Sequence, residues 1–222
     1  MSQTREAILG RIREALRDVS ADEPRRWNGP GGPGAADAYR RGPAVGVAVL
    51  EMFVEHTSDY RAELVRCPGD ESVAREVAQA CRRHGARRIL APTGIPPAWL
   101  SPTLTWVTDA VETPLSIAAL DAADGVLSGA CVAIAETGTI ALDHRADQGR
   151  RALTLVPDLH LCVVRCEQVV ATVPEALDLL RPATAEGRPI TLISGPSATS
   201  DIELERVEGV HGPRRLVVLL RE

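Results

Sequence analysis

From about residue 60 onward, short apolar runs alternate with longer mixed segments, and this alternation most constrains the fold. Glu63–Cys67 gives way to Glu71–His84, followed by Arg88–Ala91, Leu104–Val107 and Pro114–Asp121. Runs that are apolar throughout suit strands covered on both faces, and the segments between them are long enough for crossover helices. The pattern predicts an α/β fold, a mainly parallel sheet flanked by helices. Further strands are expected at Ala130–Ala135, Ile140–Leu142, Ala152–Val156, Leu159–Val164, Ile190–Ile193 and Leu216–Leu220. Helix starts are marked by Thr113 before Pro114, by Thr172 with Glu175 three residues on, and by Ser200 with Glu203 three residues on.

Ahead of this region the pattern differs. Ile8, Ile12 and Leu16 recur every four residues, with Leu9 widening the stripe and Arg5, Arg11, Arg13 and Arg17 outside it, which predicts an amphipathic helix from Ser2 to about Val19. Between Gly29 and Pro43, eight of fifteen residues are Gly or Pro, a composition that cannot sustain helix or sheet ladders. The expected organisation is an arm and linker over residues 1–43 and an α/β domain over 44–222.

Charge narrows the function. The chain has 25 basic and 30 acidic residues, a net charge of −5, which argues against a nucleic-acid surface as its main business. Every basic residue is Arg, so Schiff-base, P-loop-lysine and lysine general-base chemistry are excluded. A fixed positive charge in a site must then be a guanidinium, suited to carboxylate or phosphate. The longest apolar runs, such as Ala44–Leu50, are too short to cross a bilayer, so no membrane insertion is expected. Five cysteines without a C-x-x-C pair and an N-terminus without an apolar h-region fit a cytoplasmic protein.

Three constellations could carry chemistry. In the first, the strand from Gly129 ends on Glu136-Thr137-Gly138-Thr139, where the carboxylate loses water on one side and becomes a candidate acid, base or nucleophile. The bland alternative has Glu136 accepting backbone N–H groups from its own turn or pairing with an Arg. In the second, Ser194, Gly195, Ser197, Thr199 and Asp201 follow the run Ile190–Ile193 and enter a capped helix, a junction able to present N–H groups to a small anion. Asp201 and Glu203 already complement that helix dipole, so the loop can equally be a well-capped turn. In the third, His211 stands between Gly209 and Gly212, exposed enough to act as acid, base or anion donor, or to be a plain surface turn. The first two motifs and His211 are expected to converge on one crevice at the carboxyl edge of the sheet. No metal site is expected. His160, Cys162 and Cys166 share a strand, but the two thiols would stand about 13 Å apart at about 3.3 Å per residue, whereas zinc–sulfur bonds are about 2.3 Å.

Taken together, the helix Glu6–Leu16, the strand Ala133–Thr139, the loop Ser194–Glu203 and the turn Gly209–Pro213 resemble the lactate-utilisation protein C family, whose shared unit is the LUD domain. The resemblance implies a fold similar to the sugar-phosphate isomerase, CoA-transferase and formyltetrahydrofolate cyclo-ligase superfamily. It also implies a part in oxidising L-lactate to pyruvate beside iron–sulfur partner proteins. One departure is Cys131, where the family pattern often has an acidic residue. CoA-transferases of similar fold use a glutamate near a Gly turn as nucleophile, a role for Glu136 that rests on fold analogy alone.

Two functional readings follow. In one, the chain is a non-redox accessory component that binds a small anionic ligand and needs no cofactor of its own. In the other, it is a group-transfer enzyme using Glu136. A homo-oligomer stays open in either.

Overall fold

The structure, a computed structural model, describes residues 2–15, 17, 47–196 and 212–222. The expected linker 29–43 and the expected helix from Ser200 lie outside the described residues.

The described helix α1 (Ser2–Ala15) falls within the unit spanning residues 1–39, and the remainder forms the second unit, 40–222. In the second unit the elements run α2 (Val47–Asp59), β1 (Glu63–Cys67), α3 (Asp70–Arg83), β2 (Arg88–Pro92), β3 (Thr105–Asp109), α4 (Ile117–Asp121) and β4 (Gly125–Ser128). They continue with β5 (Val132–Ile134), β6 (Thr139–Leu142), β7 (Leu159–Arg165), β8 (Val169–Val170), α5 (Val173–Ala185), β9 (Thr191–Ile193) and β10 (Arg215–Arg221). Among the described residues no helix is long and apolar enough to cross a membrane.

Six strands form one parallel sheet in the order β1-β10-β7-β4-β2-β3. Its central strands are apolar on both faces because both are covered. α3 covers one face, placing Val73, Val77, Ala80 and Cys81 at helical spacing against Leu161, Val163, Val217 and Leu219. The helix carries Asp70 and Glu71 in its first turn and Arg82 and Arg83 in its last, matching its dipole. It stops at Gly85, whose φ of +69° closes the last turn with Ala86 N–H donating to Cys81 O at 2.8 Å.

The other face is covered by α2, by α4 and by a second, four-stranded sheet in the order β8-β5-β6-β9. Here the structure departs from a single parallel sheet. β5 and β6 pair antiparallel, and β6 pairs antiparallel with β9. Only a few residues join β5 to β6, too few for the crossover that parallel pairing needs. Alternation sorts β5 between two cores. Ala133 faces the main sheet with Phe53, Cys162 and Val164, while Val132 and Ile134 face α5 at Ala176 and Leu180.

Two further expectations are corrected. Ala152–Val156 is no strand, because Arg151–Thr154 forms a 3-10 turn that sets Ala152, Leu153 and Val156 on one side against Leu90 and Leu120. A short apolar run cannot by itself distinguish these states. The helix expected after Thr113 starts later. Leu115 N–H donates to Asp109 Oδ1 at 2.8 Å and Leu115 O accepts from Arg150 at 2.6 Å, which fixes that residue to the end of β3. Ser116 then caps α4, its hydroxyl accepting from Ala119 N–H at 3.2 Å.

Candidate functional site

The turn between β5 and β6 is a 3-10 turn, Ala135–Thr137, closed by Gly138 at φ +57°. Gly138 is needed twice over, since a Cβ there would also lie 2.6 Å from the His56 carbonyl carbon of α2. His56 Nδ1 is 2.8 Å from Ala135 O, which fastens helix to turn.

Glu136 is half-buried and held from two sides. Its N–H donates to Ala171 O at 3.1 Å, and its Oε1 accepts from Val173 N–H, the first residue of α5, at 2.7 Å. Glu175 accepts from Ala171 N–H and Thr172 N–H at 3.0 Å each, so two carboxylates complement this positive helix end.

Beyond Glu136 the hydroxyls form a relay. Thr137 Oγ1 donates to Thr139 Oγ1 at 2.8 Å, and Thr139 Oγ1 is 2.8 Å from Ser194 Oγ. Gly195 continues at φ +91° with its backbone tight against Tyr60, whose carbonyl oxygen would be 2.8 Å from a Cβ. The geometry thus brings Thr137, Gly138, Thr139, Ser194 and Gly195 together beside Glu136, in the second sheet. Ser197, Thr199, Asp201 and His211 lie outside the described residues.

A different cluster occupies the carboxyl edge of the six-stranded sheet. From β2 the chain moves outward to β3, whereas from β4 it moves the other way to β7 in the strand order, so the winding reverses between β2 and β4. Such a reversal opens a crevice at the strand carboxyl ends. The loop 143–150 crosses it. Gly94 N–H, just past β2, donates to Ala146 O at 3.0 Å, and Gly129 N–H, just past β4, donates to Asp147 O at 2.9 Å.

Inside this loop Asp143 is 1% exposed. Burial alone would favour its neutral form, but Arg145 and Arg188 outweigh it and hold the carboxyl well below the usual carboxylate range. Arg145 Nε lies 2.9 Å from Oδ1, and Arg188 Nη1 lies 2.7 Å from Oδ2. Gln148 Oε1 accepts from Asp143 N–H at 2.7 Å and His144 N–H at 3.0 Å. Arg145 Nη2 also reaches Cys131 Sγ at 3.3 Å, so an arginine faces the position where the resemblance leads one to expect an acid. The sequence reading missed this loop. Its signal was a dense polar run, Asp143-His-Arg-Ala-Asp-Gln-Gly-Arg150, directly after a buried strand.

Cys67, Cys81 and Cys162 are buried small side chains, while Cys131 and Cys166 are half-buried. Cys162 and His160 share one face of β7, where Ser128 Oγ lies 2.8 Å from His160 Nε2 and 3.8 Å from Cys162 Sγ. Burial pushes the Cys162 thiol up to about 12 and the His160 ring down to about 4. Among the described residues no three His, Cys, Asp or Glu side chains group so that they could hold a metal ion.

This architecture, a parallel sheet with its C-terminal strand threaded into the interior and a small mixed sheet packed on one face, defines an α/β class with a family match. The LUD domain profile matches residues 50–220, and the chain belongs to the LUD domain family. It is 52% identical over 172 residues to lactate utilization protein C of Deinococcus radiodurans, covering 78% of this chain and 79% of that protein. It is 31% identical over 122 residues to lactate utilization protein C of Bacillus subtilis, where the match spans 53% of this chain and half of that protein's length. A crystal structure of a DUF162 family protein from Deinococcus radiodurans matches with a TM-score of 0.70 and 44% identity, over 81% of this chain and all of that one. A lactate-utilisation role follows from these relatives.

Proposed function

We propose that this chain is a non-redox accessory component of an L-lactate to pyruvate oxidation system and binds a small anionic ligand at the hydroxyl cluster. The observation that carries this reading over group transfer is the bond from Val173 N–H to Glu136 Oε1, which commits one carboxylate oxygen to the start of α5. The relay Thr137–Thr139–Ser194 supplies hydroxyls, whose O–H groups can donate to the acceptor oxygens of a carboxylate or phosphate. Ser197, Thr199, Asp201 and His211 belong to the same proposed site. Electron transfer falls to iron–sulfur partner proteins, with residues 1–43 as the docking arm and 44–222 as the ligand-binding domain, working in the cytoplasm.

The test is lactate-dependent dye reduction by the isolated protein, by the protein with candidate iron–sulfur partners, and by a Glu136→Gln variant with those partners. Glu136→Gln keeps an acceptor oxygen for Val173 and should retain activity. Robust turnover by the isolated chain would overturn the accessory reading. Loss of reconstitution in a correctly folded Glu136→Gln protein, with covalent labelling of Glu136 by an acyl donor, would establish group transfer instead.

A further inference from the structure

We propose that the corner where β6 ends and β9 begins is a second ligand site, a surface seat for a phosphate dianion built from Arg145, Arg188 and Arg151. It lies at the opposite end of the β6–β9 pair from the hydroxyl cluster and does not depend on it. Leu142 pairs with Thr191 at this end, whereas Thr139 meets Ser194 at the other, about 10 Å back along β6.

One buried carboxylate gathers the first two cations. Asp143 Oδ2 accepts from Arg145 Nη2 at 2.6 Å and from Arg188 Nη1 at 2.7 Å, while Arg145 Nε lies 2.9 Å from Oδ1 and 3.1 Å from Oδ2. Arg188 Nη1 also donates to Asp143 O at 2.6 Å. The Asp143 side chain is 1% exposed, but that of Arg145 is 51% exposed and that of Arg188 28%, so both guanidiniums extend from the acid into open water. The third cation is tied to the same corner. His144 Nδ1 lies 2.8 Å from Gly149 O, a carbonyl that only accepts, so Nδ1 carries the hydrogen and Nε2 accepts from Thr191 Oγ1 at 2.8 Å. Thr191 Oγ1 in turn accepts from Arg151 Nη1 at 2.8 Å. These bonds hold His144 at φ +55°, a backbone conformation uncommon outside Gly.

The charges at this corner do not balance. Three guanidiniums face one buried carboxylate. Glu186 accepts from Arg188 Nε at 2.8 Å, but its side chain is 62% exposed, and an ion pair so open to water contributes little. Arg145 Nη2 lies 3.3 Å from Cys131 Sγ; burial, helped by the charge of Asp143, pushes that thiol up, so it stays neutral and offsets none of the arginine charge. Asp147 acts on Arg145 from the same loop, but burial raises its pKa and disfavours its charged form. Arg150 is committed to Asp109 and Leu115 O. Among the described residues, Arg145 Nη1, Arg188 Nη2 and Arg151 Nε and Nη2 keep unbonded N–H groups.

Charge and shape select the ligand. The two negative charges of a phosphate dianion match three guanidiniums less one carboxylate, and its terminal oxygens can accept from more than one guanidinium at once. A monocarboxylate brings one charge and two oxygens in a single plane, enough for one arginine fork.

The test titrates the full chain with inorganic phosphate, glycerol phosphate and acetate at constant ionic strength, in mildly alkaline solution where phosphate is mainly the dianion. The Nε–H resonances of Arg145, Arg151 and Arg188 report binding. Inorganic phosphate should shift all three saturably, and acetate should bind about tenfold more weakly. Comparable binding of glycerol phosphate would assign the site to the phosphate group of a small ester, and binding of inorganic phosphate alone would assign it to the free anion. Arg151→Gln, which leaves Asp143 fully paired, should weaken phosphate binding about three- to tenfold, and Arg145→Gln about tenfold or more. Arg214→Gln, which removes an arginine paired with Asp158 outside this corner, should leave it unchanged. Shifts that do not saturate, or that acetate matches, would reveal general ionic screening and overturn the proposal, as would equal binding by a folded Arg151→Gln protein. Loss of binding in Ser194→Ala with retention in Arg151→Gln would place phosphate in the hydroxyl cluster instead. The resonances of the unmutated protein decide the matter even where a variant fails to fold.

Discussion

Acidification from pH 7 to pH 4 should remove roughly 3 kcal/mol of folding stability through His160 alone. The ring is 1% exposed, and burial lowers its pKa from 6.5 to about 4. At about 1.4 kcal/mol per pH unit, that difference amounts to roughly 3 kcal/mol. The native ring stays neutral where the unfolded ring is already protonated, so between about pH 6.5 and pH 4 the unfolded chain binds more protons. Stability from this source is therefore complete above about pH 6.5 and lost as pH falls through the window. The local bonding agrees. Ser128 Oγ donates its one hydrogen to Gly129 O at 3.0 Å, which leaves it to accept from a neutral ring at Nε2. Asp143 titrates well below this window, while Asp147, with its pKa raised, contributes the opposite slope above the ordinary carboxylate range. Urea unfolding at pH 7, 6, 5 and 4.5 should be compared between the natural chain and His160→Gln, whose profile should be flatter by the His160 share. Nitrogen NMR of the His160 ring checks the cause without mutation. A ring titrating near pH 6.5 in the folded protein would refute the reasoning.

Three other outcomes are expected. Gly138→Ala forces a Cβ against the His56 backbone at positive φ and should cost at least about 2 kcal/mol, a Tm loss of about 4 to 8 °C by calorimetry. Asp109→Ala strips Leu115 N–H and the half-exposed Arg150 of a buried acceptor and should cost about 2 to 4 kcal/mol in denaturant unfolding, with Asp109→Asn costing less. Glu136→Ala should cost about 0.5 to 2 kcal/mol as a lost helix-end acceptor, and Glu136→Gln little, measured by the same unfolding.

Legibility in the sequence followed the range of the forces involved. β1, α3, β2, β7 and β10 could be read because each is a run whose local pattern and tertiary burial agree. α2 went unread although Val49, Phe53 and Thr57 are buried at four-residue spacing, since it sits directly behind a Gly/Pro-rich stretch that masks a helix start. β4 was missed because only Val126 and Leu127 in it are large and apolar. The Glu136 turn was visible as a motif, but its partner Val173 is set by a helix that returns 37 residues later. The loop 143–150 reads as a solvated charged run, and only its bonds to Gly94 and Gly129 give it a different meaning.

The position of β10 has a consequence for how this chain acquires its structure. Among the described residues β1 pairs with β10 alone, and β10 also lies against β7, so the sheet is completed by a segment the chain does not reach until Arg215. During synthesis β1 and α3 emerge early and must wait with one open edge and one apolar helix face, an arrangement of high contact order that slows folding and invites association with other chains. Chaperone dependence should therefore concentrate on nascent chains that have exposed β1 but not yet β10.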